Sequence, residues 1–106
     1  MAERSGVVTH YENEGLGVSF SLPERFTVRE NLSFREHLGR VASDSAFIRY
    51  WVAALPIIKD WQCALIPDPA ALDMDTETDA HIADIVQWTA NSVAGHMLAL
   101  VAPEKN

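Results

Sequence analysis

The chain has 106 residues, 48% of them hydrophobic, which fits one domain with a modest core. Its net charge of −7 argues against nucleic acid and anionic membranes as partners, because phosphate groups are bound by clusters of lysine and arginine. The single cysteine, Cys63, excludes an intrachain disulfide and a thiolate cluster built from one chain.

The N-terminal part of the chain predicts one strand. Residues 1–16 are polar and indicate a flexible or edge-strand arm, followed by a single helical domain over residues 17–106. Within residues 17–22 apolar side chains alternate with serines, which is the pattern of a half-buried strand, and Pro23 ends it. Because one strand is not stable alone, we expect it to pair with residues 6–12 as a hairpin or with the sheet edge of another subunit.

A first helix is predicted to begin after Thr27. Thr27 and Glu30 have the spacing of a capping box, in which each side chain accepts a hydrogen bond from the backbone N–H of the other residue. Apolar residues at intervals of three and four carry this helix to about Ser43. The side expected to face the core carries Val28, Leu32, Arg35, Leu38 and either Val41 or Ala42.

A second helix is predicted after Asp44 and Ser45, which are good N-cap residues. It is apolar around much of its circumference, so we expect it to be the central helix of the domain or to meet a partner. Pro56 removes a backbone hydrogen bond and clashes with the preceding turn. This predicts a kink or a break into two short helices, the second of which covers residues 57–65.

An acidic loop over residues 67–78 separates this segment from a third helix. We expect Thr78 or Asp79 to cap that helix and Pro103 to mark its end. The sequence therefore predicts a mainly α fold, namely a bundle of three to four helices with a short N-terminal β-strand or hairpin.

The charges are divided along the chain. Residues 25–59 hold six basic and three acidic residues, whereas residues 60–104 hold eight acidic residues and no lysine or arginine. Opposite charges attract and like charges repel over a Debye length of about 10 Å, so this division favours a particular packing or a particular partner. The division of charge does not indicate a catalytic site or a particular ligand.

The acidic loop resembles a calcium-binding loop in the spacing of its carboxylates from Asp73 to Asp84, but it differs at two required positions. Thr78 stands where such a loop needs glycine, and Asp84 stands where a bidentate glutamate is usual. His81 and Asp84 are one helical turn apart, yet two ligands are too few for catalytic zinc. We therefore predict no metal ion and no cofactor.

No catalytic signature is present in the sequence. It contains no G-x-S-x-G, phosphate-binding glycine loop, dinucleotide fingerprint, H-E-x-x-H or paired-cysteine motif. Cys63, between Trp61 and Leu65, is typical of a small buried apolar residue and not of a nucleophile. We therefore predict no catalytic residue and no enzymatic activity.

Aromatic and small residues give the candidate partner surface. Phe47 and Trp51 are expected in the core, because a domain of this size must bury most of its large apolar residues. Aromatic residues elsewhere are the usual anchors of protein interfaces. Small residues on the third helix would let another helix approach closely, although neutral variation explains them nearly as well. The candidate partner-binding residues are Tyr50, Trp61, Trp88, Ser92, Gly95 and Ala99.

The order of these features resembles a tail assembly chaperone of long-tailed bacteriophages, of the siphophage type. The resemblance covers residues 17–106. It is carried by the strand and capped helix from VSFSLP through TVRENLSFRE, by the aromatic helix RYWVAAL with the DW that follows, and by the last helix from IADIVQW to PEKN. It implies a non-enzymatic protein that binds the tape measure protein, keeps it soluble during tail assembly and leaves before the virion is complete.

The resemblance also implies action in the host cytoplasm, absence from the mature virion and the tail tube protein as a second partner. We expect a homo-oligomer or several copies on one client, and neither nucleic acid nor membrane as a partner. An acidic shell and surplus apolar helical surface suit this task. Two other classes stay open, namely a virion structural protein (minor tail or head-completion) and an acidic inhibitor or adaptor of a host protein.

Overall fold

A three-stranded antiparallel sheet and three α-helices make up the part of the fold that the structure describes. The structure is a computed structural model that describes residues 8–40, 46–75 and 79–101. The expected mainly α bundle of three to four helices is wrong, because the fold is α+β. In chain order the elements are β1 (Val8–Asn13), β2 (Val18–Pro23), α1 (Val28–Arg40), α2 (Ala46–Ala54), β3 (Lys59–Cys63) and α3 (Ala80–Val101), with a 3-10 turn at Pro69–Ala71.

β3 is the element that the sequence pattern did not predict. α2 ends at Ala54, and Pro56 stands in the short turn that follows. The second short helix expected over residues 57–65 is replaced by β3, because proline interrupts the helix and the residues after it alternate in burial. Trp61 and Cys63 are half-buried, and the residue between them is exposed.

β2 is the central strand, with β1 and β3 as its antiparallel neighbours. β1 and β2 form a hairpin, which is one of the two pairings expected for this strand. The turn over residues 14–17 ends at Gly17, whose φ of 69° lies in the left-handed region that glycine adopts without strain. Tyr11 lies opposite Phe20 in the hairpin, so both side chains are on the face that the helices cover.

A β-bulge interrupts the pairing of β2 with β3. Ser19 pairs with Gln62 and Ser21 pairs with Lys59, so β3 has one residue more than β2 over this step. Asp60 has a φ of 54°, in the left-handed region that costs a residue other than glycine about 1 kcal/mol. The bulge therefore sets the direction of the side chain that follows Asp60.

α1 begins with the predicted capping box. Glu30 N donates to Thr27 Oγ1 at 3.0 Å, and Thr27 N donates to Glu30 Oε1 at 2.9 Å. The helix buries Phe34, whereas Val28 is 75% exposed and Leu32 is 57% exposed. The expected core side is therefore wrong for the first two turns, because α1 packs mainly against α2, and α2 covers the side that carries Phe34.

α3 begins at one of its two expected cap residues. Asp79 Oδ1 accepts a hydrogen bond from His81 N at 2.8 Å, which satisfies a free donor of the first turn. The other expected cap, Thr78, and the expected end at Pro103 lie outside the described residues. The same holds for Asp44 and Ser45, the expected caps of α2.

The core lies between the inner face of the sheet and the layer formed by α2 and α3. One group of buried side chains joins Phe20 and Leu22 of β2 to Val93 and Met97 of α3. Because β2 supplies side chains to both core groups, the sheet and the helices share one core. The second group consists of Val18, Trp51, Ile66, Ile85 and Val86.

Candidate functional site

A mainly apolar groove lies between the start of α2, the first turns of α3 and the loop before α3. We call it the α2–α3 groove, and its volume is about 290 Å³. Two of its lining residues are polar, so it contacts apolar groups more readily than polar ones. The lining residues are Phe47, Ile48, Leu72, Asp73, Met74, Ile82, Ala83, Val86 and Gln87.

The loop side of the groove is shaped by local hydrogen bonds. A capped 3-10 turn at Pro69–Ala71 leads into the loop, and Leu72 then packs against the core. Asp73 Oδ1 accepts from Asp75 N at 2.9 Å, which makes a tight turn around Met74. The aspartates thus hold the backbone that presents Leu72 and Met74 to the groove.

The helical sides of the groove follow from helix periodicity. Ile82 and Val86 are four residues apart on α3 and share one face with Ala83. On α2, Phe47 is 40% exposed, although the sequence led us to expect it in the core. Met74 is 37% exposed. Large apolar side chains exposed around one concave surface indicate a place where another molecule binds.

The charge beside the groove is negative. Asp73 is a lining residue, and Asp79, the cap residue before α3, stands three residues before Ile82 and four before Ala83. Backbone and side-chain hydrogen bonds from His81, both at 2.8 Å, lower the pKa of Asp79. Asp79 is therefore charged at neutral pH. Among the described residues that line the groove, none is lysine, arginine or histidine.

A second, more polar cleft lies further along α3, between that helix and β1. We call it the β1–α3 cleft, and its volume is about 470 Å³. Thr9 Oγ1 donates to Glu24 Oε2 at 2.8 Å across one side of it. The lining residues are Thr9, Tyr11, Glu24, Asn91, Ser92, Gly95 and His96.

The hydrogen bonds of His96 assign it a structural role in this cleft. His96 is buried, and its Nε2 lies 2.8 Å from the backbone oxygen of Pro23. A carbonyl oxygen only accepts, so Nε2 donates to it, and with the hydrogen on Nε2 the Nδ1 atom accepts from the Tyr11 hydroxyl at 2.9 Å. Burial and the nearby Glu24 carboxylate raise the pKa of Tyr11, which keeps its hydroxyl protonated. Both ring nitrogens therefore have partners within the protein.

The three aromatic candidates from the sequence lie in the aromatic packing between the sheet and the helices. Trp61 stacks on Phe20 with ring centroids 6.1 Å apart, and its Nε1 donates to Ile66 O at 2.6 Å. Trp88 packs edge-on against Phe20 at 5.6 Å. Tyr50 is half-buried and contacts the ring of Phe34 at 6.0 Å. The structure therefore brings Trp61 and Trp88 together against Phe20 and places Tyr50 apart from them, beside Phe34. All three have contacts inside the domain.

The small-residue candidates on α3 have a different environment. Ser92 and Gly95 both line the β1–α3 cleft, so the structure brings these two residues together. No neighbouring group lies within 4 Å of a Cβ placed on Gly95, so a side chain would fit there without a clash. Ala99 belongs to the last turns of α3, and its side chain lies outside the described set.

Sequence reasoning missed the residues of the α2–α3 groove. Phe47 was assigned to the core, and residues 67–78 were treated only as a solvated acidic loop. Leu72 and Met74 gave a usable signal, because two large apolar residues at an interval of two inside an acidic loop are not expected on a fully solvated segment. A loop does not reveal its neighbours, however, so the sequence could not connect them to α2.

No arrangement in the described residues has the geometry of a metal or membrane site. Across residues 8–40, 46–75 and 79–101, no three histidine, cysteine, aspartate or glutamate side chains converge as metal ligands. In the same residues, no helix is both long enough and apolar enough to cross a bilayer. No protein-family model, curated protein or solved structure matches this chain.

Proposed function

We propose that this protein is a non-enzymatic assembly chaperone that binds apolar helical segments of another protein and keeps them soluble. The α2–α3 groove carries the proposal, because Phe47 and Met74 expose large apolar surface around a concave site. Such a surface suits the helix-in-groove mode of recognition, in which an amphipathic helix lays its apolar face between the walls.

The client that we propose is the tape measure protein of a long-tailed bacteriophage, with the tail tube protein as a second partner. The sequence resemblance supports this choice. The protein would act in the host cytoplasm during tail assembly and be absent from the mature virion.

The surface of α1 gives the proposal a second support. Val28 and Leu32 are among the most exposed large apolar side chains of the described residues, and they lie one turn apart on that helix. Several weak apolar sites along one long client gain affinity because the second contact forms at high local concentration. The net charge of −7 keeps a protein with such surfaces soluble.

Co-expression with a tagged tape measure protein tests the proposal. We expect the two proteins to be captured together and the client to be more soluble than when it is expressed alone. The double variant Phe47→Ser/Met74→Ser should reduce capture, because it removes apolar contact without adding charge. Leu65→Ser is the matched control, since Leu65 is 48% exposed but lies outside the groove.

Three results would contradict the proposal. Failure to capture or solubilise the client would remove its basis. Co-purification of the protein with mature particles would support a virion structural protein instead. The protein could instead capture a host protein. If that binding persists in the Phe47→Ser/Met74→Ser variant and is lost at moderate salt, the result would support the acidic adaptor.

A further inference from the structure

We infer that the α2–α3 groove binds an amphipathic helix whose apolar anchor side chains are flanked by lysine or arginine. The inference rests on the proposed client-binding function and adds the chemistry of the client segment. It follows from the volume, the backbone environment and the charge of the groove.

The volume of the groove suits two anchor side chains. A cavity of about 150 Å³ lined by apolar residues holds one benzene molecule. At about 290 Å³, the groove has room for roughly two large apolar groups. Two anchors that are three or four residues apart on one helix lie side by side and can enter such a space together.

The backbone around the groove favours a helical occupant over an extended one. Two sides of the groove come from α2 and α3, whose backbone groups are already paired within each helix. Among the described residues, none of the three strands contributes to the lining, so these strands offer an extended peptide no sheet edge to pair with here. A helix brings its own backbone hydrogen bonds and needs only side-chain contacts.

The charge of the groove selects the residues that flank the anchors. Asp73 lines the groove, and Asp79 is the cap residue of α3, three positions before the lining residue Ile82. Arg49 follows Ile48 on α2, but its Nε donates to the backbone oxygen of Leu38 on α1. The Asp79 carboxylate also accepts from the His81 side chain at 2.8 Å, which partly offsets its charge when His81 is protonated. A cation next to the anchors would still be attracted by both aspartates, whereas a carboxylate would be repelled.

Three labelled peptides of about 18 residues, long enough to form a helix, test the inference. The first carries leucine and phenylalanine anchors at an interval of four with flanking lysines. The second has glutamates in place of the lysines, and the third has the composition of the first in a scrambled order. We expect fluorescence anisotropy at low salt to give the lysine peptide at least about tenfold tighter binding than the glutamate peptide. The scrambled peptide should bind weakly.

Variants of the protein distinguish the contribution of the groove to peptide binding from the contribution of the protein's overall negative charge. In the Asp73→Asn/Asp79→Asn variant, the lysine peptide should bind only about twofold more tightly than the glutamate peptide. The asparagines keep the turn and the cap but remove the two negative charges. Asp84→Asn is the matched control, since Asp84 is exposed on another side of α3. Phe47→Ser/Met74→Ser should weaken the lysine peptide at least about tenfold, because both anchors lose apolar contact. Circular dichroism checks that each variant is folded.

The inference is overturned if the lysine and glutamate peptides bind equally, if neither binds, or if Asp84→Asn acts as strongly as the double aspartate variant. Self-association that Phe47→Ser/Met74→Ser abolishes would show that a second copy of the chain occupies the groove, and would overturn it as well. Capture of the tape measure protein despite these results would leave the proposed function standing. Binding of the lysine peptide without capture of that client would overturn the proposed function alone.

Discussion

The Tyr11 hydroxyl donates to Nδ1 of His96 at 2.9 Å and joins the first strand to the last helix across 85 residues of chain. The same imidazole donates from Nε2 to the backbone oxygen of Pro23, at the end of the central strand. Tyr11 also stacks on Phe20 at 5.3 Å, so one side chain combines an apolar contact with a hydrogen bond. This arrangement fixes α3 against the β1–β2 hairpin.

Tyr11→Phe should destabilise the fold by about 1–2 kcal/mol, because His96 would lose its hydrogen bond while the ring contacts remain. Urea unfolding at neutral pH measures the change. Tyr50→Phe is the matched control, because the Tyr50 hydroxyl makes no hydrogen bond to any residue in the described part of the chain, and we expect a change below about 0.5 kcal/mol. Equal effects of the two substitutions would contradict the structural role of the Tyr11 hydroxyl.

Trp61→Ala should cost about 3 kcal/mol of stability, because it removes a half-buried indole from the aromatic packing and its hydrogen bond to Ile66 O. The measurement is again urea unfolding. Tyr50→Ala, with one ring contact to Phe34, should cost less. If Trp61→Ala keeps full stability and loses only client binding, Trp61 faces the partner, as the sequence predicted.

Thr89→Val should raise the free energy of unfolding by about 1 kcal/mol, because it replaces a buried hydroxyl that lacks a partner with a methyl group of similar size. Thr89 is fully buried on α3, and its Oγ1 is the buried side-chain oxygen of the described residues that makes no hydrogen bond. Thermal unfolding measures the change. Thr89→Ala is the control, because it removes the hydroxyl and also leaves a cavity, so it should not stabilise. A lower melting temperature for the valine variant would show that the hydroxyl has a partner in solution.

The pKa of His81 should lie above its ordinary value, chiefly because its side chain donates to Asp79 and secondarily because of the charge of Asp79. Asp79→Asn should return this pKa towards the ordinary value, while Asp84→Asn should shift it much less, since Asp84 acts only as a weaker charge. Proton NMR of the imidazole measures both. Equal shifts in the two variants would contradict the hydrogen bond.

The same pair predicts a pH window for the cap of α3. The raised pKa of His81 gives stability that is complete below the ordinary histidine pKa and is lost as pH rises through the raised value. The lowered pKa of Asp79 gives stability that is present above the ordinary aspartate pKa and is lost as pH falls through the lowered value. The cap should therefore be strongest between about pH 4 and pH 6.5.

Local patterns in the sequence predicted the starts of elements well. Thr27 and Glu30 form the expected reciprocal hydrogen bonds, and Asp79 caps α3 as one of two expected residues. These interactions involve residues within three positions of each other, so the chain needs no distant partner to make them. The alternation over residues 17–22 likewise identified β2.

Features that depend on distant segments were not predictable in the same way. After Pro56, a short apolar segment could continue as a helix or as a strand, and pairing with β2 decided for the strand. On α1, periodicity marked Val28 and Leu32 as an apolar side, but the position of α2 determined which side is buried. The α2–α3 groove depends on three segments at once, so its residues gave no joint signal.

β3 follows α1 and α2 in the chain, yet it pairs with β2, which precedes them. Pairing of β3 with β2 closes the long connection over residues 24–58, and this closure costs conformational entropy. β1 and β2 are joined by a short turn, so their pairing costs less entropy. We therefore expect the hairpin to form before the folding transition state and β3 to join after it. Substitutions in the turn at Gly17 should then slow refolding, and substitutions in β3 should mainly accelerate unfolding.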